Sequence, residues 1–544
     1  MKEGSSVTKG FMILSIAGIV SKLLSALYVP LLTRIIGDVG MGIYGKGYDV
    51  FMFVYAVTTM GCQPAVAKVI SELKALGNED DAERTLKISK RIFGVAGGIG
   101  SILLMILAYP IAKRINIESA TFAIMFLGPS VFLTAILAAY RGYFQGKNMM
   151  HGIAISQVVE QILNVLVSLL CAYLFMNISL PLGAAGGTIG TTVGAVVAVI
   201  YLIYLYEKKI KRKKRKIRKE VVAEGKGRRI SNEGIKRKIY AYALPITLIA
   251  GIQNFGGMVD MFNVNSRLLH AGFSLDNANA LYGLFIQYRT LLGLPLIIIT
   301  SLTVIILPNI AKEFALKNRK AIIKQINFGF KLTFMITIPA AVGMSFLSSE
   351  IYRLLFGTVK GSYIMMMGSF ILIFMSLAQV QSSILQGMSK FRPLIMAFTI
   401  GVIFKVLGNY IFVGIPKINI IGVLIGNFFY FAIPTAICYK IIRRTVRYKI
   451  PILKPCIKPI IGAIGMGIFL YFGRIPLVSL SNGISSKWLV WGFILIYTII
   501  LVIIGSVIYG VIMIFIGGIR KADIEAISPK IYRKIPGSLK RKIR

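Results

Sequence analysis

The chain of 544 residues is 56% hydrophobic, with a mean hydropathy of +0.76, yet it carries 63 Lys and Arg against 20 acids. A soluble protein has no use for that combination. It points to an all-α polytopic membrane protein, because lipid forces every spanning segment to close its backbone hydrogen bonds internally over ~20 mostly apolar residues. In chain order, spans are expected near 10–34, 43–63, 92–112, 119–140, 153–176, 185–206, 239–263, 278–308, 325–347, 362–387, 393–414, 418–439, 457–473 and 488–518, about fourteen in all. The first is too long for a signal-peptide core and lacks a small-residue cleavage site, so it is expected to remain as a helix.

Positive charge falls on alternate sides of this pattern. Of the 63 basic residues, 49 lie in or beside the N-terminus, the loops after even-numbered spans and the C-terminus. Only 10 flank the other side. The positive-inside rule then places both termini in the cytoplasm. The segment 207–238, EKKIKRKKRKIRKEVVAEGKGRRISNEGIKRK, is the one long linker, and it holds sixteen basic residues. It lacks the interleaved aromatics or folded platform that nucleic acid would need, so it reads as a flexible cytoplasmic tether touching anionic lipid head groups. The tail 520–544 is basic in the same way. Cys62, Cys171, Cys438 and Cys456 show no CxxC spacing, which argues against metal or disulfide roles. No cofactor and no nucleic acid are expected, and the chain is expected to be monomeric.

The linker separates two six-span halves that echo each other, 1–206 and 239–440, with 441–519 left as an appended helix pair. IAGI at 16–19 recurs at 249–252, and the same offset carries Arg34 onto Arg267. Tyr44-Gly45 answers Tyr282-Gly283, PAVAK at 64–68 answers PNIAK at 308–312, and Gln145-Gly146 answers Gln386-Gly387. Gly186 and Gly190 answer Gly422 and Gly426. The repeat is parallel, so the lobes should be related by a pseudo-two-fold axis along the membrane normal, as in transporters whose bundles rock about a central site.

Intramembrane polar residues carry a transporter's chemistry, since a charge at the centre of a spanning helix costs ~2.5–3.5 kcal/mol even on the lenient scale. Gln253, Gly256, Asp260, Asn263 and Arg267 fall on one face of span seven. Span one repeats this sparsely with Ser15, Gly18, Lys22 and Ser25, while Asp49, Arg289 and Lys405 lie in spans two, eight and eleven. The candidate substrate-binding set is Lys22, Arg34, Asp49, Asp260, Arg267 and Arg289. An excess of cations suits an anionic substrate, because Arg grips phosphate oxygens in pairs. The alternative for each charge is a salt bridge between helices, such as Asp260 with Arg289. Arg141, at the end of span four, and Glu160, early in span five, are expected to bridge the short hairpin as a structural latch, with gating as the alternative.

RGYFQGKNMM followed by SQVVEQI, together with GIVSKLLSALYVPLLTRIIGDVGMGIYGKGYD and TTMGCQPAVAKVISE, resembles the stage V sporulation protein B group. That group stands with the MurJ-type lipid II flippases in the multidrug/oligosaccharidyl-lipid/polysaccharide exporter superfamily, and the resemblance spans essentially the whole chain. It implies fourteen helices in two lobes and export of a lipid-linked sugar precursor across the bacterial cytoplasmic membrane. It also implies that spans thirteen and fourteen form a groove for the polyprenyl tail. Lys22 stands where the MurJ type carries an Arg, and Arg34 and Arg289 match further basic positions. Tyr28 and Val29 depart from the pattern, standing where the MurJ type has an Arg and an Asp. A cation-coupled multidrug antiporter of the same superfamily would need an acid-rich cavity. A membrane glycosyltransferase or ligase would need a catalytic carboxylate or His in a sizeable outer loop, so no enzyme is expected. Export driven by the membrane potential, without a nucleotide, is expected, in keeping with the lack of a GxxxxGK[ST] loop.

Overall fold

The computed structural model describes residues 2–114, 116–211, 230–448, 450–451, 453–481 and 487–518. Among these, every long element is a helix. They are α1 Lys2–Thr59, α2 Cys62–Ala75, α3 Glu79–Arg114, α4 Thr121–Gly146, α5 Met150–Met176, α6 Leu180–Leu205, α7 Asn232–His270 and α8 Leu275–Ala315. There follow α9 Arg319–Phe346, α10 Ser348–Phe356, α11 Ser362–Gly368, α12 Ile371–Gly387, α13 Phe391–Val413, α14 Ile421–Val446, α15 Leu453–Ser481 and α16 Lys487–Phe515. Twelve helical stretches are long and apolar enough to cross a membrane, or thirteen when the bent pair α11–α12 is taken as one. The protein is a multi-pass membrane protein.

The first of these stretches, Ile16–Ala75, is 60 residues long. Its helix breaks at Gly37, where φ is 68° and ψ is −177°, a left-handed φ that a side chain would strain. The break falls in the gap expected between spans one and two. Elsewhere helix ends follow local chemistry. Ser231 accepts from the Gly234 amide, Ser179 from Leu182 and Asn318 from Ala321, each satisfying a donor left over in a first turn. Residues 212–229 of the expected tether and the tail 520–544 lie outside the described residues. The last part of the tether differs from expectation. Residues 232–238 form the first turns of α7, and Lys238 and Tyr242 bind Glu72 at 3.1 and 2.8 Å. A helix cap and an ion pair order what composition alone reads as linker.

Glycines at matched positions of the two halves meet neighbouring helices in similar ways, though not in the register of the PAVAK–PNIAK match. Gly146 leaves room for the backbone of Ala67, in PAVAK, while Gly387 does so for Leu307, beside PNIAK. Gly190 lies against Asn164 of α5, and Gly426 against Asn409 of α13. At each of these a Cβ would collide with a neighbouring helix, so glycine sets how closely the helices approach. Matched segments also meet each other. Gly42 lies against the Asn279 carbonyl, and Gly283 against that of Asp38.

Two compact units result, residues 1–290 with 398–426 and residues 291–397 with 427–544. They divide the chain differently from the sequence halves, because the boundaries fall inside α8, α13 and α14. In the second unit α15 packs on α16 and α9 around Leu347, Met466, Leu470 and Leu501. Tyr509 of α16 donates to the Met335 carbonyl at 2.9 Å.

Candidate functional site

The six candidate substrate-binding residues lie on α1, α7 and α8, and Lys405 lies on α13. Before the Gly37 break, α1 is half pinned. Tyr28 and Val29 are buried, and the Tyr28 hydroxyl donates to the Gly187 carbonyl of α6. That is the reason for an uncharged pair at this level, since an Arg and an Asp would be forced into a packed seam. Lys22 and Arg34, on the same helix, are exposed.

After the break α1 turns its polar side to α7 and α8. Gln287 donates to Asp38 at 2.8 Å. Lys46, fully buried, donates to Asn265 and Asn279 at 2.7 and 2.5 Å. Asp49 accepts from Arg289 at 2.5 Å and from the Tyr282 hydroxyl at 2.6 Å. Gly257 makes this possible, because a Cβ there would lie 2.9 Å from the Asp49 carboxylate. Asp260 accepts from Lys405 and from Asn409, both at 2.8 Å. Arg267 donates to the Tyr410 carbonyl at 2.9 Å and lies 4.2 Å over its ring.

The expected salt bridge from Asp260 to Arg289 is therefore replaced by two others, Asp260 with Lys405 and Arg289 with Asp49. Helical periodicity places Asp260 on a polar face correctly, but the helix opposite that face is α13. Asp49 and Asp260 are buried, whereas the Arg289 side chain keeps 32% of its surface. The six candidate residues thus fall into two kinds: Asp49 and Asp260 hold cations, while Lys22, Arg34, Arg267 and Arg289 present some positive surface. Sequence reasoning missed Lys46, although its spacing of three from Asp49 marks one helical face.

Near the α4–α5 turn the expected Arg141–Glu160 ion pair is present. Arg141 donates to Glu160 at 2.6 Å and to Ser156 at 3.1 Å. Nearby Gln63 donates to Gln145 at 2.9 Å, joining α2 to α4. In the second unit, an apolar cavity of about 800 Å³ lies between α9, α15 and the α11–α12 bend, lined by residues such as Phe334, Phe370, Ile464 and Tyr471.

Stage V sporulation protein B of Bacillus subtilis is 25% identical over 488 residues, covering 88% of this chain and 93% of the relative. The lipid II flippase MurJ of the same organism is 24% identical over 426 residues, covering 74% and 77%. Among solved structures, lipid II flippase MurJ in an inward closed conformation superposes with a TM-score of 0.64 at 17% identity, covering 92% of this chain and 98% of that one. An inward-facing multidrug resistance MATE transporter gives 0.63 at 16% identity, covering 78% and 94%. The fold is that of these transporters. The profile of the family described as "Polysaccharide biosynthesis protein" matches residues 7–314, more than half of the chain. With that match, on top of helices and charges laid out as above, the chain belongs to the polysaccharide biosynthesis protein family.

Proposed function

We propose that the chain is a flippase that carries a polyprenyl-diphosphate-linked sugar precursor from the inner to the outer leaflet by alternating access. The observation that carries this reading is the set of intramembrane cations Lys22, Arg34 and Arg289, in a chain matched along most of its length by proteins named as a lipid II flippase and a sporulation protein. A lipid-linked diphosphate cannot shed its water unaided, because an uncompensated charge in hydrocarbon costs many kcal/mol. Cationic side chains facing a wet cavity replace that water while the tail stays in lipid. Outward movement of roughly two negative charges then gains ~2.3 kcal/mol per charge per 100 mV of inside-negative potential.

In this reading the chain crosses the membrane fourteen times, with both termini cytoplasmic. From Ile16 to Thr59 the helix would rise roughly 66 Å, against a hydrocarbon core of ~30 Å, so this part of α1 supplies two crossings that meet at Gly37. Lys22, Arg34 and Arg289 contact the diphosphate, and Asp49 and Asp260 orient cations. Arg267 closes the outer end against Tyr410. Asp38, Lys46 and Asp49 bind residues from the matched half, so these bonds form the outer gate and must break for release. The apolar cavity beside α15 takes part of the polyprenyl tail.

The MATE likeness favours a second reading, a cation-coupled drug antiporter. It fits less well, since Asp49 and Asp260 are each already neutralised by a basic side chain. The test is complementation. Expression of this chain should restore growth to a bacterium depleted of its own lipid II flippase. Failure to restore growth, combined with resistance to cationic drugs, would favour the antiporter.

A further inference from the structure

One basic cluster plays no part in the transport reading. In the second unit a cavity of about 440 Å³ lies between α9, α15 and the end of α16. Lys331 of α9 and Lys454 and Lys458 of the first turns of α15 line it, and its described lining holds no carboxylate. Lys458 donates to the Gly517 carbonyl at 2.9 Å, which ties the lysine to the end of α16. The wall also contains Asn327, whose buried Oδ1 has no hydrogen-bond partner among the described residues. A buried acceptor of this kind is costly unless a donor reaches it. The lining therefore suits a ligand that is an anion toward the lysines and a hydrogen-bond donor toward Asn327.

Free phosphate, which keeps a P–OH near neutral pH, meets both demands, so the surroundings must decide. The surroundings favour a lipid. Ile457, Ile461 and Phe515, on the same turns of α15 and α16, are exposed and apolar, so acyl chains can lie along them. We propose that this cavity binds the headgroup of phosphatidylglycerol from the leaflet it faces. The phosphodiester sits against Lys331, Lys454 and Lys458, and a glycerol hydroxyl donates to Asn327 Oδ1. Basic pockets between helices at the membrane surface hold anionic lipids by this chemistry. The proposal requires only that the chain spans a membrane, and stands apart from which substrate crosses.

Native mass spectrometry of the purified full chain tests it, with phosphatidylglycerol, phosphatidylmethanol, phosphatidylcholine and inorganic phosphate as probes. Wild type should retain one phosphatidylglycerol in preference to the other three. Combining Lys331→Gln, Lys454→Gln and Lys458→Gln should weaken it on the order of a hundredfold, at about fivefold per lysine. Neutralising the exposed Lys74, Lys87 and Arg91 instead should leave it unchanged. Asn327→Leu should lower phosphatidylglycerol affinity to that of phosphatidylmethanol, which has the charge without the hydroxyl. Lys454 is exposed, so Lys454→Gln alone gives the single-lysine loss should the triple variant not fold. Equal losses from the two triple variants would overturn the proposal. So would displacement of phosphatidylglycerol by inorganic phosphate, or by a polyprenyl diphosphate at lower concentration.

Discussion

Lys405→Met should destabilise the protein more than any other single removal of a cation described above. Its ammonium lies 2.8 Å from Asp260, and the two side chains keep 3% and 2% of their surface. At that distance and an effective dielectric of about 20, the attraction is ~6 kcal/mol. Desolvation of two ions costs several kcal/mol each, so the intact pair contributes little net stability. Removing one partner strands the other, at a cost of about 3–5 kcal/mol, softened here only by the Asn409 donor. Lys405→Met should therefore lower the melting temperature in detergent markedly. Asp260→Leu in the same background should restore most of the loss, because neither charge of the pair then remains buried without its partner. The measurement is a double-mutant cycle on melting temperature and on folded yield by size-exclusion fluorescence. Strictly additive losses would refute the reasoning, since they would mean that the two side chains do not interact in the folded protein.

Arg141→Ala should cost roughly 1–3 kcal/mol, between the values for exposed and buried pairs, since Arg141 and Glu160 keep 11% and 22% of their surface. Partial recovery in the Arg141→Ala, Glu160→Ala double variant supports a latch, and a stable single variant that does not transport would place Arg141 in the substrate path. Lys22→Ala and Arg289→Ala should each abolish flipping in a reconstituted assay, Lys22→Arg should be tolerated, and normal flipping by both alanine variants would move the anion site elsewhere. In a cysteine-free background, cysteines at Ser231 and Ser481 should label from opposite sides of the membrane, and labelling of both from outside would refute the predicted orientation. The Ser481 side chain lies outside the described residues.

Much of the architecture was legible in the chain because its causes are local. The cost of leaving a peptide group unbonded in lipid acts segment by segment, so every expected span falls on helix, although the first two share α1 and the tenth is split by a bend. Glycine positions such as Gly190 and Gly426 carried the repeat visibly, because a missing Cβ is a property of one residue. Periodicity likewise put Asp260 on the polar face of α7, and spacing put Arg141 within reach of Glu160. Partnership was decided only by tertiary structure. Asp260 pairs with Lys405 and Arg289 with Asp49 because α13 and α1, respectively, lie opposite those faces, and no spacing within α7 or α8 encodes that. Lys46 was passed over in the sequence, because its burial between Asn265 and Asn279 depends on three helix segments meeting. Tyr28 and Val29 look like a departure in sequence and prove to be packing, since α6 approaches closely enough for Gly187 to accept the Tyr28 hydroxyl. Helix formation and membrane insertion depend on neighbours a few residues away, whereas an ion pair depends on which distant helix fills the space a few ångströms off.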